Sequence, residues 1–254
     1  MTDYEFDMVI CVGPKDESII EQNLQYNKQN IIGYRNIYLI CVNPNIKIDG
    51  TITIDEKIFP FKKSDVSNMI GENQPDRHGW YLQQLLKLYA GNIIPGILKR
   101  YLVVDADNHF LKPTKFITDD GKHFITENTY ENHKEYFITM NKLHPTLNKY
   151  HPLSGVSHHC LFHNDKINEL LQLVENYHNN TKPFWKILLE IVSETIKNKP
   201  EEYSVFSEYE TYLNFMIYYH KDEIVTRRLK WENVPFLILN TDSDFQGVQW
   251  YMRR

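Results

Sequence analysis

Two carboxylates separated by one small residue, Asp105-Ala106-Asp107, come directly after the apolar run Tyr101-Leu102-Val103-Val104. A buried strand that ends this way delivers both acids to the carboxyl edge of a sheet, where open α/β folds bind their ligands. Hard divalent cations such as Mg²⁺ or Mn²⁺ want oxygen ligands, and a cation held there would neutralise the charge that develops on a departing diphosphate. One acid of the pair can bind the metal while the other accepts hydrogen bonds from a ribose or a metal-bound water, and Ala106 leaves room for the phosphates. Acidic pairs in turns are common, and the plain alternative is a solvated or helix-capping turn. The context speaks against it, because Phe110-Leu111-Lys112-Pro113 turns apolar again straight afterwards and encloses the acids between two hydrophobic runs.

Other residues could share that chemistry. Lys87 could meet a phosphate, and Gln83 and Gln84 could read a sugar or base, or all three could form a solvated helix face. Arg77 and His78 precede that helix and could meet an anion near its amino end, or simply be solvated. Trp80 and Trp250 suit the core or a cleft wall, where an aromatic face can also stack on a sugar ring. His158 and His159 could supply a metal ligand, a donor to a leaving diphosphate or an acceptor contact, or form a satisfied polar patch. Glu208 or Glu210 could take the proton from an attacking hydroxyl as general base, although glutamates in a first helical turn are favoured by the helix dipole without any catalysis.

The elements that must position these groups read as α/β. Phe6–Val12 and residues 36–42 are apolar, β-branched runs closed by Gly13-Pro14 and Asn43-Pro44, with helical spacing of Ile19, Ile20 and Leu24 between them. Strand, helix, strand is the opening of a doubly wound parallel sheet. A short strand over 51–54 comes next, then a helix over 79–90 that stops at Gly91, and the strand 100–104 that feeds the acidic turn. Strands are expected over 109–111, 123–126, 156–162, 224–228 and 235–239, and helices over 132–143, 164–177, 183–197 and 207–220, the last opened by a capping box at Ser207-Glu208-Tyr209-Glu210.

Composition narrows the function classes. Hydrophobic residues at 42% and charged ones at 24% describe a globular chain, and a net charge of -5 removes the general attraction to phosphate backbones, so no nucleic-acid partner is expected. Three cysteines without CxxC spacing suit a reducing compartment. The acidic amino terminus does not look like a signal peptide, and no apolar run approaches the roughly 18 residues of a membrane span, so a cytoplasmic protein is expected.

The segments "YLVVDADNHFLKP", "GWYLQQLLKLYA", "HHCLF" and "SEYETY" together resemble glycosyltransferases of the GT-A fold, in particular a group of small enzymes from bacteria and large DNA viruses. The resemblance covers roughly residues 5–240. It implies a Rossmann-like, mostly parallel central sheet flanked by helices, in a single domain over 1–254 with a helical C-terminal part. Residues 1–112 would form the nucleotide-sugar-binding half and 113–254 the acceptor-side half. It also implies transfer of a sugar from a nucleotide diphosphate sugar, UDP-sugar first, to a hydroxyl of a glycan or glycoconjugate, with Mn²⁺ or Mg²⁺ as cofactor. Asp107 would ligate the metal, Asp105 would contact ribose or metal-bound water, and His158 or His159 would face the same cleft, His159 standing as a further candidate ligand. Two rivals remain: a sugar-phosphate nucleotidyltransferase, weakened because Gly13-Pro14-Lys15-Asp16 is poor in glycine, and a non-catalytic module that binds a nucleotide sugar or glycan.

Overall fold

A computed structural model describes residues 6–71, 75–128 and 132–253. The acidic start at residues 1–5 and the terminal Arg254 lie outside the described residues. In chain order the strands are Phe6–Val12 (β1), Ile31–Ile32 (β2), Tyr34–Cys41 (β3), Ile52–Asp55 (β4), Arg100–Val104 (β5), Asn108–Phe110 (β6), Thr114–Lys115 (β7), His123–Thr126 (β8), His159–His163 (β9), Ile224–Arg227 (β10), Trp231–Val234 (β11) and Phe245–Val248 (β12). The α-helices are Ile20–Asn30 (α1), Lys63–Ile70 (α2), Pro75–Ile93 (α3), Lys134–Leu143 (α4), Asn164–Tyr177 (α5), Phe184–Asn198 (α6) and Glu208–Tyr219 (α7).

All seven residues of β1 are buried, as a central strand covered on both faces requires. The two-residue alternation of a strand divides the core. Val9 and Cys11 join Tyr38, Tyr101, Val103 and Phe162 on one face, under a layer that includes α3, α5, α6 and α7. Met8 and Ile10 join Leu39, Leu102, Val104 and Leu161 on the other, against α1 and the phenylalanines Phe110, Phe116 and Phe245. The main sheet has the order β4-β3-β1-β5-β9. Its first four strands run parallel, and β9 closes the edge antiparallel to β5. This is an α/β architecture with a mostly parallel central sheet flanked by helices. From β1 the chain winds outward to β3 on one side and then returns to β5 on the other. The carboxyl ends of β1 and β5 therefore flank the point where strand order reverses, the usual location of a ligand crevice in such sheets.

A smaller sheet, β11-β12-β6, stands beside the acidic turn. Strand β6 begins at the residue after Asp107, and the Val248 N–H at the end of β12 donates to the Asp107 carbonyl at 2.7 Å. No helix among the described residues is long and apolar enough to cross a membrane.

Several boundaries differ from the sequence expectation for identifiable reasons. Helix α3 runs through Gly91 to Ile93 instead of stopping there. Gly91 is needed for close approach: a Cβ at this position would lie 2.7 Å from Tyr101 Cε1 and 2.4 Å from Asn164 Oδ1. Residues 235–239, expected as a strand, form none. The pairing is made instead by the four residues before them and by β12, and Phe236 and Leu239 are left exposed. Strand β9 starts at His159, not at Val156, because His158 adopts a left-handed backbone with φ 61°.

Candidate functional site

A cleft of about 350 Å³ opens at the switch point. Its walls come from four places: Asp16 after β1, the turn Asp105-Ala106-Asp107 after β5, one face of α3, and the amino end of α7. Val156 and His158 close one side, and Gln249 and Trp250, just past β12, close another. Arg77, Trp80, Gln83, Gln84 and Lys87 all line the cleft from α3, as neighbours three and four residues apart on one helical stripe must.

Lys87 is not the solvated cation or free phosphate ligand that sequence spacing allowed. It is buried, and its Nζ donates to Asp105 Oδ1 at 2.6 Å, Glu208 Oε1 at 2.7 Å and the Tyr209 hydroxyl at 3.0 Å. The Tyr209 hydroxyl in turn donates to Asp105 Oδ1 at 2.8 Å. One ammonium thus serves two carboxylates. Burial alone would lower the Lys87 pKa, but Asp105 and Glu208 outweigh it and raise it. Burial likewise opposes an ionised Asp105; Lys87, followed by His158, overcomes this and holds the carboxyl well below the usual range. Glu208 is shifted upward, chiefly by burial, with Lys87 acting against it.

His158 completes the inner corner. Its carbonyl accepts the Asp105 N–H at 2.9 Å, and its Nδ1 lies 3.2 Å from Asp105 Oδ2. Burial lowers the imidazole pKa and the Asp105 contact raises it, with a net rise. A left-handed backbone costs an L-residue about 1–2 kcal/mol. Here the two ties to Asp105 hold the histidine in it.

Asp107 differs. Its carboxylate has no hydrogen-bond or ion-pair partner among the described residues, and the residue is 9% exposed at the cleft. Burial first, and then the neighbouring negative charge of Asp105, push its pKa up to about 7. Two side-chain amides of the cleft also have a donor to spare. Gln84 Nε2 and Gln249 Nε2 are buried without partners among the described residues, while Gln84 Oε1 accepts from the Glu208 N–H at 3.0 Å. Arg77 has no carboxylate partner among the described residues, and its guanidinium lies 4.6 Å from the Tyr203 ring centre and 5.4 Å from that of Trp80.

Two expected site residues lie elsewhere. His159, expected as a candidate metal ligand, points through the sheet to the opposite face. There its Nε2 is 2.9 Å from the Thr126 hydroxyl, and Phe110, Phe116 and Phe245 pack around the ring. Burial drives its pKa well down, and it is a core histidine. Glu210, the alternative base, is fully buried away from the cleft. It accepts from Ser154 Oγ at 2.6 Å and the Gly155 N–H at 2.8 Å through Oε2, and from Asn214 Nδ2 at 3.0 Å through Oε1. Its work is to tie α7 to the 154–155 loop. Ser207 caps the helix by accepting the Glu210 N–H, as expected, but the Glu210 side chain does not complete a capping box.

The structure also adds residues that the sequence did not single out. Asp16 lies just past β1, its N–H bonded to the Gly13 carbonyl at 2.9 Å, and its Oδ1 accepts from Arg253 Nη2 at 2.5 Å. Its position at a strand's carboxyl end is the same signal that drew attention to Asp105, and it could have been found that way. Gln249 reaches the cleft from the far end of the chain, where no local pattern marks it. Its neighbour Trp250 takes the cleft-wall position of the two expected for it, with the Lys15 ammonium 3.4 Å from the centre of its ring.

No group of three or more His, Cys, Asp or Glu that could hold a metal ion occurs among the described residues. The donor set is one unengaged carboxylate, Asp107, beside an engaged one, Asp105. That is too little for a resident ion caged by protein, but it suits Mg²⁺ or Mn²⁺, which are commonly held by one or two carboxylates together with substrate phosphates.

Among solved structures, the chain is similar to mouse xyloside xylosyltransferase 1 in its apo form, at 9% identity over 95% of this chain and 97% of that one, with a TM-score of 0.45. No curated protein matches the sequence. The model of a family of unknown function, DUF6492, matches residues 26–238, the greater part of the chain and every wall of the cleft except Asp16 and the segment at 249–250. The chain belongs to that family.

Proposed function

We propose that the protein is a divalent-metal-dependent glycosyltransferase that takes its sugar from a nucleotide diphosphate sugar and delivers it to a hydroxyl. The observation that carries this reading is the unpartnered Asp107 carboxylate, held at the switch point of an α/β sheet beside a corner in which the other carboxylates are already engaged. The ordered motifs that resemble GT-A enzymes support it, since all four contribute side chains to this one cleft. A cation held between Asp107 and the diphosphate would neutralise the leaving group, an effect of several kcal/mol on such barriers.

The chain's own residues have separable tasks under this reading. Asp105, clamped by Lys87, Tyr209 and His158, fixes the turn so that Asp107 faces the cleft, and its charge helps to attract a cation. Gln84 and Gln249 offer buried amide N–H groups to the ligand's oxygens, and Arg77 brings a cation to its phosphates. Trp80 forms part of the wall on which a base or sugar ring would lie. Glu208 is the carboxylate of the cleft placed to accept the proton of the attacking hydroxyl, and burial suits it to that task by raising its pKa.

The test is incubation with a panel of nucleotide sugars, UDP-sugars first, with Mn²⁺ or with a chelator, while nucleoside diphosphate release is followed. Release that needs the metal and falls at least about a hundredfold in Asp107→Asn is expected, the equivalent of roughly 2.7 kcal/mol. Equal release by wild type and variant would refute the role given to Asp107. Tight binding of a nucleotide sugar with no release at all would favour a binding module over an enzyme.

A further inference from the structure

A second and larger cavity, an open groove of about 1190 Å³, lies along β11 of the small sheet. Glu127, Arg228, Lys230, Trp231, Asn233 and Asp244 are among its walls. It adjoins the cleft at two points. Trp231 of the groove meets His158 of the cleft ring to ring, with centroids 5.0 Å apart and planes at 82°. Asn233 of the groove and Gln249 of the cleft both lie against Gly247, where a Cβ would lie 2.6 Å from Asn233 Oδ1 and 2.8 Å from Gln249 Nε2. β12, the neighbour of β11 in the small sheet, is hydrogen-bonded to the Asp107 carbonyl through the Val248 N–H, so groove wall and acidic turn are joined through one sheet.

The lining indicates what kind of molecule fits. Trp231 is partly exposed, yet its plane is fixed, stacked on Phe245 at 9° and 5.4 Å. A rigid indole with a negatively polarised face is a platform for the C–H face of a pyranose ring. The charged groups are paired with one another: Arg228 with Glu127 at 3.1 Å, Lys230 with Asp242, and Lys112 from outside the groove with Asp244 at 3.4 Å. Four acids, Glu127, Glu232, Asp242 and Asp244, face two strong bases, Arg228 and Lys230. An anionic ligand finds no spare lysine or arginine among these described residues, whereas a neutral polyhydroxyl ligand needs no unpaired cation and meets the side chains of Asn233, Glu127 and Asp244 along the wall.

We propose that this groove is the acceptor site and that its occupant is a neutral oligosaccharide, one ring stacked on Trp231 and one hydroxyl directed past His158 towards Asp107. The inference rests on the glycosyltransferase reading and adds the acceptor class and its location. In the transfer, the acceptor oxygen forms a bond to the anomeric carbon while the bond from that carbon to the diphosphate breaks. The electron pair leaves on the diphosphate, and the hydroxyl proton passes to a cleft carboxylate.

The experiment is NMR of the full chain with ¹⁵N-labelled indoles, the Trp231 signal among the four tryptophans being assigned with Trp231→Phe. The probes are lactose, cellobiose, maltose and diacetylchitobiose, with a polygalacturonate oligomer as anionic control, each with and without UDP and Mn²⁺. A saturable shift of the Trp231 indole with at least one neutral saccharide and none with the anionic one is expected, with affinity weakened about two- to tenfold in Trp231→Leu. Saccharides that move Trp80 or Trp250 but leave Trp231 still, or a Trp231 response to the anionic oligomer alone, would overturn the proposal. A Trp231 response in a protein that neither binds UDP nor releases it would retain a saccharide groove while removing the donor chemistry. Donor turnover with a silent Trp231 would do the reverse.

Discussion

Asp105 and Asp107 stand two residues apart on one turn of the cleft, Asp107 the more buried of the two, and the fold treats them oppositely. Asp105 receives hydrogen bonds from Lys87 and Tyr209, lies against His158, and is held ionised. Asp107 has no such partner among the described residues, and its pKa is pushed up to about 7. The same contrast recurs on α7, where Glu208 faces the cleft and Glu210 is locked into the 154–155 loop. On the turn, the carboxylate with a full set of partners serves architecture and the one without is available for a ligand; on α7, Glu208 is engaged by Lys87 through Oε1, while Glu210 is bonded through both of its oxygens. A buried charge that is already matched has little reason to reorganise around a substrate, while an unmatched one is relieved by a cation.

The largest expected effect breaks the inner corner. Lys87→Met would leave the buried Glu208 and the half-buried Asp105 side by side without their shared ammonium, and a loss of about 3–5 kcal/mol is expected in urea denaturation. A loss below about 1 kcal/mol would show that the corner is far wetter than its burial implies.

Next comes Asp107, through pH. The folded pKa of Asp107, about 7, lies above its ordinary value of 3.8, so between these values the native state binds more protons than the unfolded chain. Stability from this group is therefore full at low pH and is lost as pH rises, by on the order of 2–4 kcal/mol at about 1.4 kcal/mol per pKa unit. Denaturation curves at pH 5 and pH 8 should differ in that direction for wild type and much less for Asp107→Asn. Added Mn²⁺ with UDP should recover stability mainly at the higher pH, where the ion does not compete with a proton. A slope that persists unchanged in the variant would locate the titration elsewhere, with His158 the first candidate.

The smallest effect sharpens the comparison on α7. Glu210→Gln keeps the shape but weakens three charge-assisted bonds, and a cost of about 1–3 kcal/mol with nucleoside diphosphate release retained is expected. Glu208→Gln should show the opposite balance, with release lost and stability changed less. If the two variants lose release equally, the division of labour between them is wrong.

Much of the architecture is legible in the sequence. The apolar runs of β1, β3 and β5 and the acidic turn after β5 come from short-range patterns. Burial on both faces demands uninterrupted hydrophobic residues, and a strand that reaches the sheet edge must hand over to a polar turn. The helical stripe from Trp80 to Lys87 is equally plain as a stripe, whereas Arg77, expected just before the helix, joins it because α3 begins at Pro75. The surroundings of the stripe are not plain, since a lysine beside two glutamines looks the same on a solvated face as in a buried corner. Gly91 reads as a helix stop because glycine usually marks one, and only the approach of Tyr101 shows why it lies inside α3. Alternation assigns His158 and His159 to opposite faces, but the choice between them needs the left-handed turn at His158, which no alternation rule contains.

The sequence by itself determined the strands of the main sheet, the longer helices and the presence of two acids at a strand's carboxyl end, though not β11 and β12 of the small sheet, for the former depend on hydrophobic periodicity and on neighbours within a few residues. Only the tertiary structure decided that Lys87 spends its charge on Asp105 and Glu208, that Asp107 is left unengaged, and that Gln249 and Trp250 close the cleft. Those outcomes depend on which groups meet across long stretches of chain, and on the low dielectric around them, where one ion pair made or left unmade sets a carboxylate's charge.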